Sequence, residues 1–304
     1  MLWGAQIVGV VLAIGLAPFF MGVAQTVKAR RQGRHGPSVW QGYWVLAKTW
    51  RKETTVPEYS SWVFRLAPSM SLAALLLTVL LIPWSGTVPS AWPHDLLAVF
   101  FLLAFERFWV GLAGMDSAGT FGGLGASRIA TLGTGIEPAM LAAFGVLWVL
   151  SRQTAIQPLA PALMRQSLGI IPWGLAVLSY AFVLLAETGR LPVDNPDTHL
   201  ELTMMHEATV LEYNGRFLAQ SQLAIAVKLT AILGLGWIWL GPQLATPWAN
   251  LGLRLVELLV SSVALGWLES RSTKLRYFQL STYLTMAAGI GILAFYLVSS
   301  GGLN

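Results

Sequence analysis

Eight apolar stretches, each close to the length that crosses a bilayer, limit what this chain can become. They run at about residues 2–24, 62–83, 95–113, 129–150, 168–187, 217–240, 251–268 and 277–299. A helical span needs about 20 apolar residues to cross the hydrocarbon core. In lipid every backbone N–H and C=O must be satisfied within the segment, which leaves helices for runs of this kind. The expected fold is therefore all-α, a polytopic membrane protein of about eight transmembrane helices forming one integral domain over residues 1–304. Composition agrees: 55% of the 304 residues are hydrophobic and only 11% charged, against about 25% charged in soluble domains. The first run has neither a basic flank ahead of it nor a small-residue cleavage site, and is read as a retained span.

Basic residues are distributed unevenly. Lys28, Arg30, Arg31, Arg34, Lys48, Arg51, Lys52 and Arg65 lie between the first two spans, and Arg271, Lys274 and Arg276 between the last two. Arg107 and Arg128 bracket the third connection and Arg190 and Arg216 the fifth, while the opposite side holds only Arg152, Arg165 and Arg254. The positive-inside rule puts the odd-numbered connections in the cytoplasm and both termini outside. The basic loops suit anionic lipid. Nucleic acid is not an expected partner, because no soluble fold displays these charges. The chain has no cysteine, so disulfides, iron–sulfur ligation and thiolate metal sites are excluded from it.

Ionisable residues inside spans are costly and mark function. Glu137-Pro138 sits inside the fourth run, where a carboxylate must face protein or water. It is a candidate proton-path residue, as are Glu187 at the inner end of the fifth run, Asp116 and Lys228. Each has a plainer reading. Glu137 could be a hydrogen-bonded structural acid and Asp116 a cap of its loop. Lys228 could snorkel, or pair with Glu137 or Glu187. Glu106 beside Arg107 reads as a local ion pair, and Glu257 as a further buried group. The Gly-rich stretch Gly111–Arg128 is expected as a cytoplasmic connection, its glycines allowing close backbone packing or an irregular loop. Val39–Arg51 has the aromatic spacing of an amphipathic interfacial helix.

The densest feature is Glu187–Tyr213, which holds six of the fourteen acids and two of the four histidines. Pro192 and Pro196 prevent a continuous helix through Asp194, and Asp197–Glu212 is expected as a helix capped at Asp197 or Thr198 with Glu201 at the capping-box position. His199 and His206 would share a face of that helix near Glu201 and Glu207, but the spacing is not that of a zinc motif, and no metal site is expected.

Read together, Glu187-Thr-Gly-Arg190-Leu-Pro192-Val-Asp194, Glu201-Leu202 and Glu212-Tyr213 resemble the signature loop of respiratory complex I subunit 1. They are closer still to the corresponding membrane subunit of group 4 [NiFe] hydrogenases, of the hydrogenase-4 and formate hydrogenlyase type. Arg34-His-Gly36-Pro37 with Lys48, Gly125-Ala-Ser-Arg128 nine residues before Glu137, and Glu269-Ser270 with Lys274-Leu-Arg276 extend the resemblance over nearly the whole chain. His199–Ala208 has the wording of the hydrogenase branch, whereas Val45 and Glu106 depart from the family pattern.

The resemblance implies a subunit of a multisubunit oxidoreductase in a prokaryotic cytoplasmic membrane. Hydrogenase-like large and small subunits would carry Fe–S clusters and a [NiFe] site, and antiporter-like membrane subunits would move protons. This chain, with no cofactor of its own, would join them. Arg190, Pro192, Asp194, Glu201, His206, Glu207, Glu212 and Tyr213 would form the coupling and docking loop, and Arg34, Gly36, Pro37 and Lys48 the first cytoplasmic loop. Arg128 and Glu269 would be ion-pair residues. The alternatives are a quinone-site subunit of a complex I-like reductase, with a quinone cavity between the first span, the amphipathic helix and the central loop; a stand-alone ion transporter; and a passive anchor.

Overall fold

A computed structural model describes residues 2–86, 88–156, 170–194 and 205–301. Eleven helices are seen among them, here numbered in chain order. They are α1 (Leu2–Gly15), α2 (Ala17–Arg31), α3 (Gln41–Trp50), α4 (Trp62–Leu81), α5 (Leu96–Asp116), α6 (Thr120–Ser151), α7 (Ile170–Glu187), α8 (His206–Val210), α9 (Gly215–Leu240), α10 (Pro247–Arg271) and α11 (Tyr277–Gly301). Seven are long and apolar enough to span a membrane by themselves; α1 and α2, bent by 47° at their junction, bring the total to eight as one broken span. The expected all-α, eight-span architecture is what the chain adopts.

Helix α9 is the hub. It is the most buried span, and it packs against α2, α3, α4, α7 and α10. Its length from Ala224 to Trp239 is almost continuously apolar or small, so it can be surrounded. Tyr180 of α7 donates its hydroxyl to the Ile232 carbonyl at 2.7 Å and packs edge-on to Trp239. Outward-facing apolar side chains such as Phe101, Ile171, Phe278 and Tyr296 would be a liability in water; here they meet lipid or neighbouring subunits.

Three helices, α4, α5 and α10, start with a side-chain cap among the described residues. Asp95 accepts from the Leu97 and Ala98 amides at 2.8 and 3.0 Å, opening α5, and Thr246 accepts from Ala249 at 3.3 Å, opening α10. Asp116, a proton-path candidate for which a capping role was also expected, sits at the end of α5, where its Oδ2 accepts from the Ser61 and Phe64 amides, both at 2.9 Å. The donors at the start of α4 explain its place: this acid is a cap, tying the end of one span to the beginning of another.

The Gly-rich stretch is not a loop. It divides between the end of α5 and the first turns of α6, with only residues 117–119 between the helices. A Cβ on Gly114 would lie 2.8 Å from the Gly122 carbonyl oxygen, so the glycines serve close backbone approach. The amphipathic helix forms as α3, with Trp40, Trp44 and Trp50 about half exposed and the Tyr43 hydroxyl donating to the Gly15 carbonyl, beside the bend, at 2.6 Å. The expected helix from Asp197 is described only as α8; Pro196, Asp197, Thr198, His199 and Glu201 lie outside the described residues.

Candidate functional site: a buried chain of charges beside a cavity

Five ionisable side chains from four spans form one connected chain inside the bundle. Glu137 of α6 accepts from Arg107 of α5 at 2.8 Å. The other arm of Arg107 reaches Glu187 of α7 at 2.6 Å. The second oxygen of Glu187 lies 2.8 Å from Lys228 Nζ on α9, and the same nitrogen reaches Glu106 of α5 at 2.7 Å. Ser71 of α4 donates to Glu106 at 3.3 Å. Glu106, Glu187 and Lys228 are buried. Isolated charges at such depth would be prohibitively desolvated, and the pairing makes them tolerable.

The geometry revises several expectations. Arg107 does not pair with its neighbour Glu106; adjacent residues on a helix point about 100° apart, so each finds a different partner. Lys228 pairs with Glu187 and Glu106 rather than Glu137. Glu137 is not enclosed: its side chain is 45% exposed at the outer face of α6. Arg128 and Glu269 belong to different contacts. Glu269 is held by Arg190 at 3.2 Å and Lys28 at 3.4 Å, while the Arg128 guanidinium lies 5.5 Å above the Tyr277 ring. Sequence reasoning gave Arg107 and Glu106 no part in the network; two opposite charges adjacent inside an apolar run were the available signal.

The Glu106–Lys228–Glu187 end of the chain opens on a cavity of about 290 Å³. Its walls include Pro18 and Met21 of α2, Gly42 and Val45 of α3, Ala67 of α4 and Val110 of α5. On the side of the central loop they include Arg190, His206, Glu207 and Tyr213. One side is apolar and the other charged. The void occupies the place the quinone alternative required, between the first span, the amphipathic helix and the central loop.

The described edges of the central stretch, at Asp194 and Met205, meet each other. Arg190, 2% exposed, and Asp194, 3% exposed, point inward. Asp194 takes Lys274 at 2.7 Å and the Met205 amide at 3.0 Å, and Leu275 N donates to the Pro192 carbonyl at 2.9 Å. These bonds fasten the loop to the α10–α11 connection. Burial works against the Asp194 anion, but His206 and Lys274 outweigh it and hold the carboxyl well below its usual range. Tyr213 is buried on Phe64, with centroids 4.3 Å apart, and donates to the Phe64 carbonyl at 2.9 Å. Burial first, then the Asp116 carboxylate, raises its phenol above the ordinary value. Glu207 lines the cavity, whereas Glu212 is exposed. In the first cytoplasmic loop, Arg34 and Lys48 are exposed and the Pro37 carbonyl accepts from Thr26 at 2.9 Å, with Gly36 packed on α2. No group of three or more potential metal ligands is found among the described residues.

Comparison with known proteins gives these contacts a context. The sequence matches the family described as NADH dehydrogenase over residues 5–299. It is 31% identical over 226 residues to hydrogenase-4 component C of Escherichia coli K12, covering 74% of this chain and 71% of the relative. It is 31% identical over 221 residues to formate hydrogenlyase subunit 4 of the same organism, covering 72% and 71%. An NADH-quinone oxidoreductase subunit of Syntrophotalea carbinolica is 27% identical over 301 residues, covering 91% of this chain and 88% of the relative. In fold, the chain is similar to a component of the membrane-bound sulfane sulfur reductase, an archaeal respiratory membrane complex. That match has a TM-score of 0.79 and 22% identity, and covers 97% of this chain and 99% of the other. With a family match over nearly its whole length and the hydrogenase-4 and formate hydrogenlyase subunits among its relatives, the chain belongs to the NADH dehydrogenase family of membrane proteins.

Proposed function

We propose that the chain couples electron transfer in peripheral partner subunits to ion movement by neighbouring membrane subunits. At the coarser level it is a multi-pass membrane subunit of a hydrogenase-4, formate hydrogenlyase or complex I-like respiratory complex. The observation that carries the finer reading is the alternating chain Glu137–Arg107–Glu187–Lys228–Glu106, which runs from an internal cavity to a half-exposed carboxylate on the side of the bundle. A passive anchor has no need of it. The chain's own residues hold and relay charge. Electron carriers, Fe–S clusters and a [NiFe] centre belong in this reading to hydrogenase-like large and small subunits. Antiporter-like subunits would meet the Glu137 face. The cytoplasmic membrane, with both termini outside, is the location this reading assigns.

A second reading is favoured by the cavity itself. An apolar wall facing a charged one suits a lipophilic molecule with a polar head, such as a quinone. In that case reduction would occur at the charged wall and the same network would receive its consequence.

The test is Glu187→Gln in the assembled complex, followed by proton uptake into inverted vesicles during redox turnover. The variant keeps the shape and removes the charge shared by Arg107 and Lys228. Proton uptake should fall at least about tenfold with the subunits still co-purifying, which corresponds to about 1.4 kcal/mol. Wild-type uptake per electron would refute the coupling role.

A further inference from the structure

His206 is unused by the network described above, yet it stands between the loop clasp and the cavity. It opens the short helix α8, and its ring forms part of the cavity wall. Its side chain is 26% exposed, while Nδ1 is buried and faces Asp194 Oδ2 at 3.7 Å. Nε2, on the other edge of the ring, is the nitrogen not turned to Asp194. Gly189, at φ +59°, passes beneath it; a Cβ there would lie 2.6 Å from His206 Nδ1, so the loop is shaped to admit this ring.

We infer that His206 is the proton-loading group of the cavity, taking protons from the cytoplasmic side and delivering them to the Glu106–Lys228–Glu187 end of the charge chain. Asp194 is the positioning residue, its carboxylate facing Nδ1 and leaving Nε2 to exchange. The inference rests on the coupling role proposed above and names the entry point of that same path.

The chemistry balances without a redox partner. A hydronium ion on the cytoplasmic side gives its proton to Nε2 and leaves as water; the imidazolium passes a proton to water in the cavity, which hands it to a carboxylate at the far end and is left as water. One proton enters, one leaves, and His206 returns to its neutral form. Imidazole exchanges protons readily near neutrality, its unperturbed pKa being about 6.5. The charged groups around the ring are Asp194 on the central loop, Lys274 from the α10–α11 connection behind it, and Arg190 and Glu207 on the same cavity wall. Glu269 lies beyond Arg190.

The experiment measures proton uptake by inverted vesicles carrying the whole complex, across pH 5.5 to 9, for His206→Gln, His206→Ala and Glu187→Gln. His206→Gln should lose at least about tenfold in uptake near pH 7 and lose the ionisation that shapes the wild-type profile. His206→Ala should recover uptake on adding imidazole, with a dependence on the concentration of its neutral or protonated form that a propping role would not produce. If His206→Gln keeps the wild-type profile while Glu187→Gln is inactive, the loading role is overturned and the coupling role stands. If His206→Ala is inactive and imidazole restores nothing, His206 is only a prop for the Gly189 turn. If both His206→Gln and Glu187→Gln pump normally, the coupling role itself falls.

Discussion

Replacing Asp194 by Asn tests the claim that the central loop is clasped from within. The native carboxylate accepts Lys274 at 2.7 Å and the Met205 amide at 3.0 Å in a setting where Asp194 is 3% exposed. Asn keeps an acceptor for the amide and removes the charge. What is lost is one charge-assisted hydrogen bond, about 1.5–3 kcal/mol. The Lys274 side chain is 16% exposed and can turn partly toward water, which trims the penalty. A loss of about 2 kcal/mol in the local opening free energy follows, or about a 30-fold rise in the open population. Hydrogen exchange followed by mass spectrometry should show amides from Met205 to Tyr213, together with Leu275, exchanging faster by that factor, with α9 unchanged. In a double-mutant cycle with Lys274→Met, the two losses should fall short of additivity by more than about 1 kcal/mol. The pH dependence has a definite sign. Because the native carboxyl lies below its usual range, the clasp contributes fully above the ordinary carboxyl pKa of about 3.9 and weakens only as pH falls below it. Unchanged exchange over Met205–Tyr213 in Asp194→Asn, or strictly additive losses in the cycle, would refute the clasp.

Three further outcomes are expected. Single cysteines at Ser90 and Ser272 should react with impermeant thiol reagents from opposite sides of the membrane, Ser272 from the cytoplasm; labelling of Ser272 from outside would reverse the topology. Glu137→Gln should leave the spans inserted and abolish coupled proton uptake, and uptake at the wild-type level would make this acid merely structural. Asp116→Ala should cost about 1–2 kcal/mol through the lost α4 cap, seen in thermal unfolding of the purified complex, while proton uptake per electron stays normal; a selective loss of uptake would return Asp116 to the path.

The spans were legible because apolar run length is a one-dimensional property. So were Glu137, Glu187 and Lys228 as individual anomalies, since a charge in lipid advertises itself locally. Their partners were not legible. Arg107 bridges Glu137 and Glu187, 30 and 80 positions away, and sequence offers no register between spans that would choose it over Lys228. The same limit hid the partner of Asp194: Lys274, 80 positions on, turns this acid inward. For Gly111–Arg128 the sequence left close backbone packing and an irregular loop both open, and the structure takes the first. Glycine is a breaker in water, but in a membrane its missing side chain lets two helices touch, as at Gly114 and Gly122.

The charge chain has an odd number of members. Three carboxylates, Glu106, Glu137 and Glu187, share two cations, Arg107 and Lys228. Neutrality therefore takes one added proton, and that proton has three seats. In two of the three placements the vacancy in the pairing lies at an end of the chain, one against the cavity and one at the side of the bundle; in the third it lies at Glu187 between them. Moving the proton from seat to seat would shift charge between the cavity and the side of the bundle with no helix having to move, much as a missing electron migrates through a lattice whose atoms do not move.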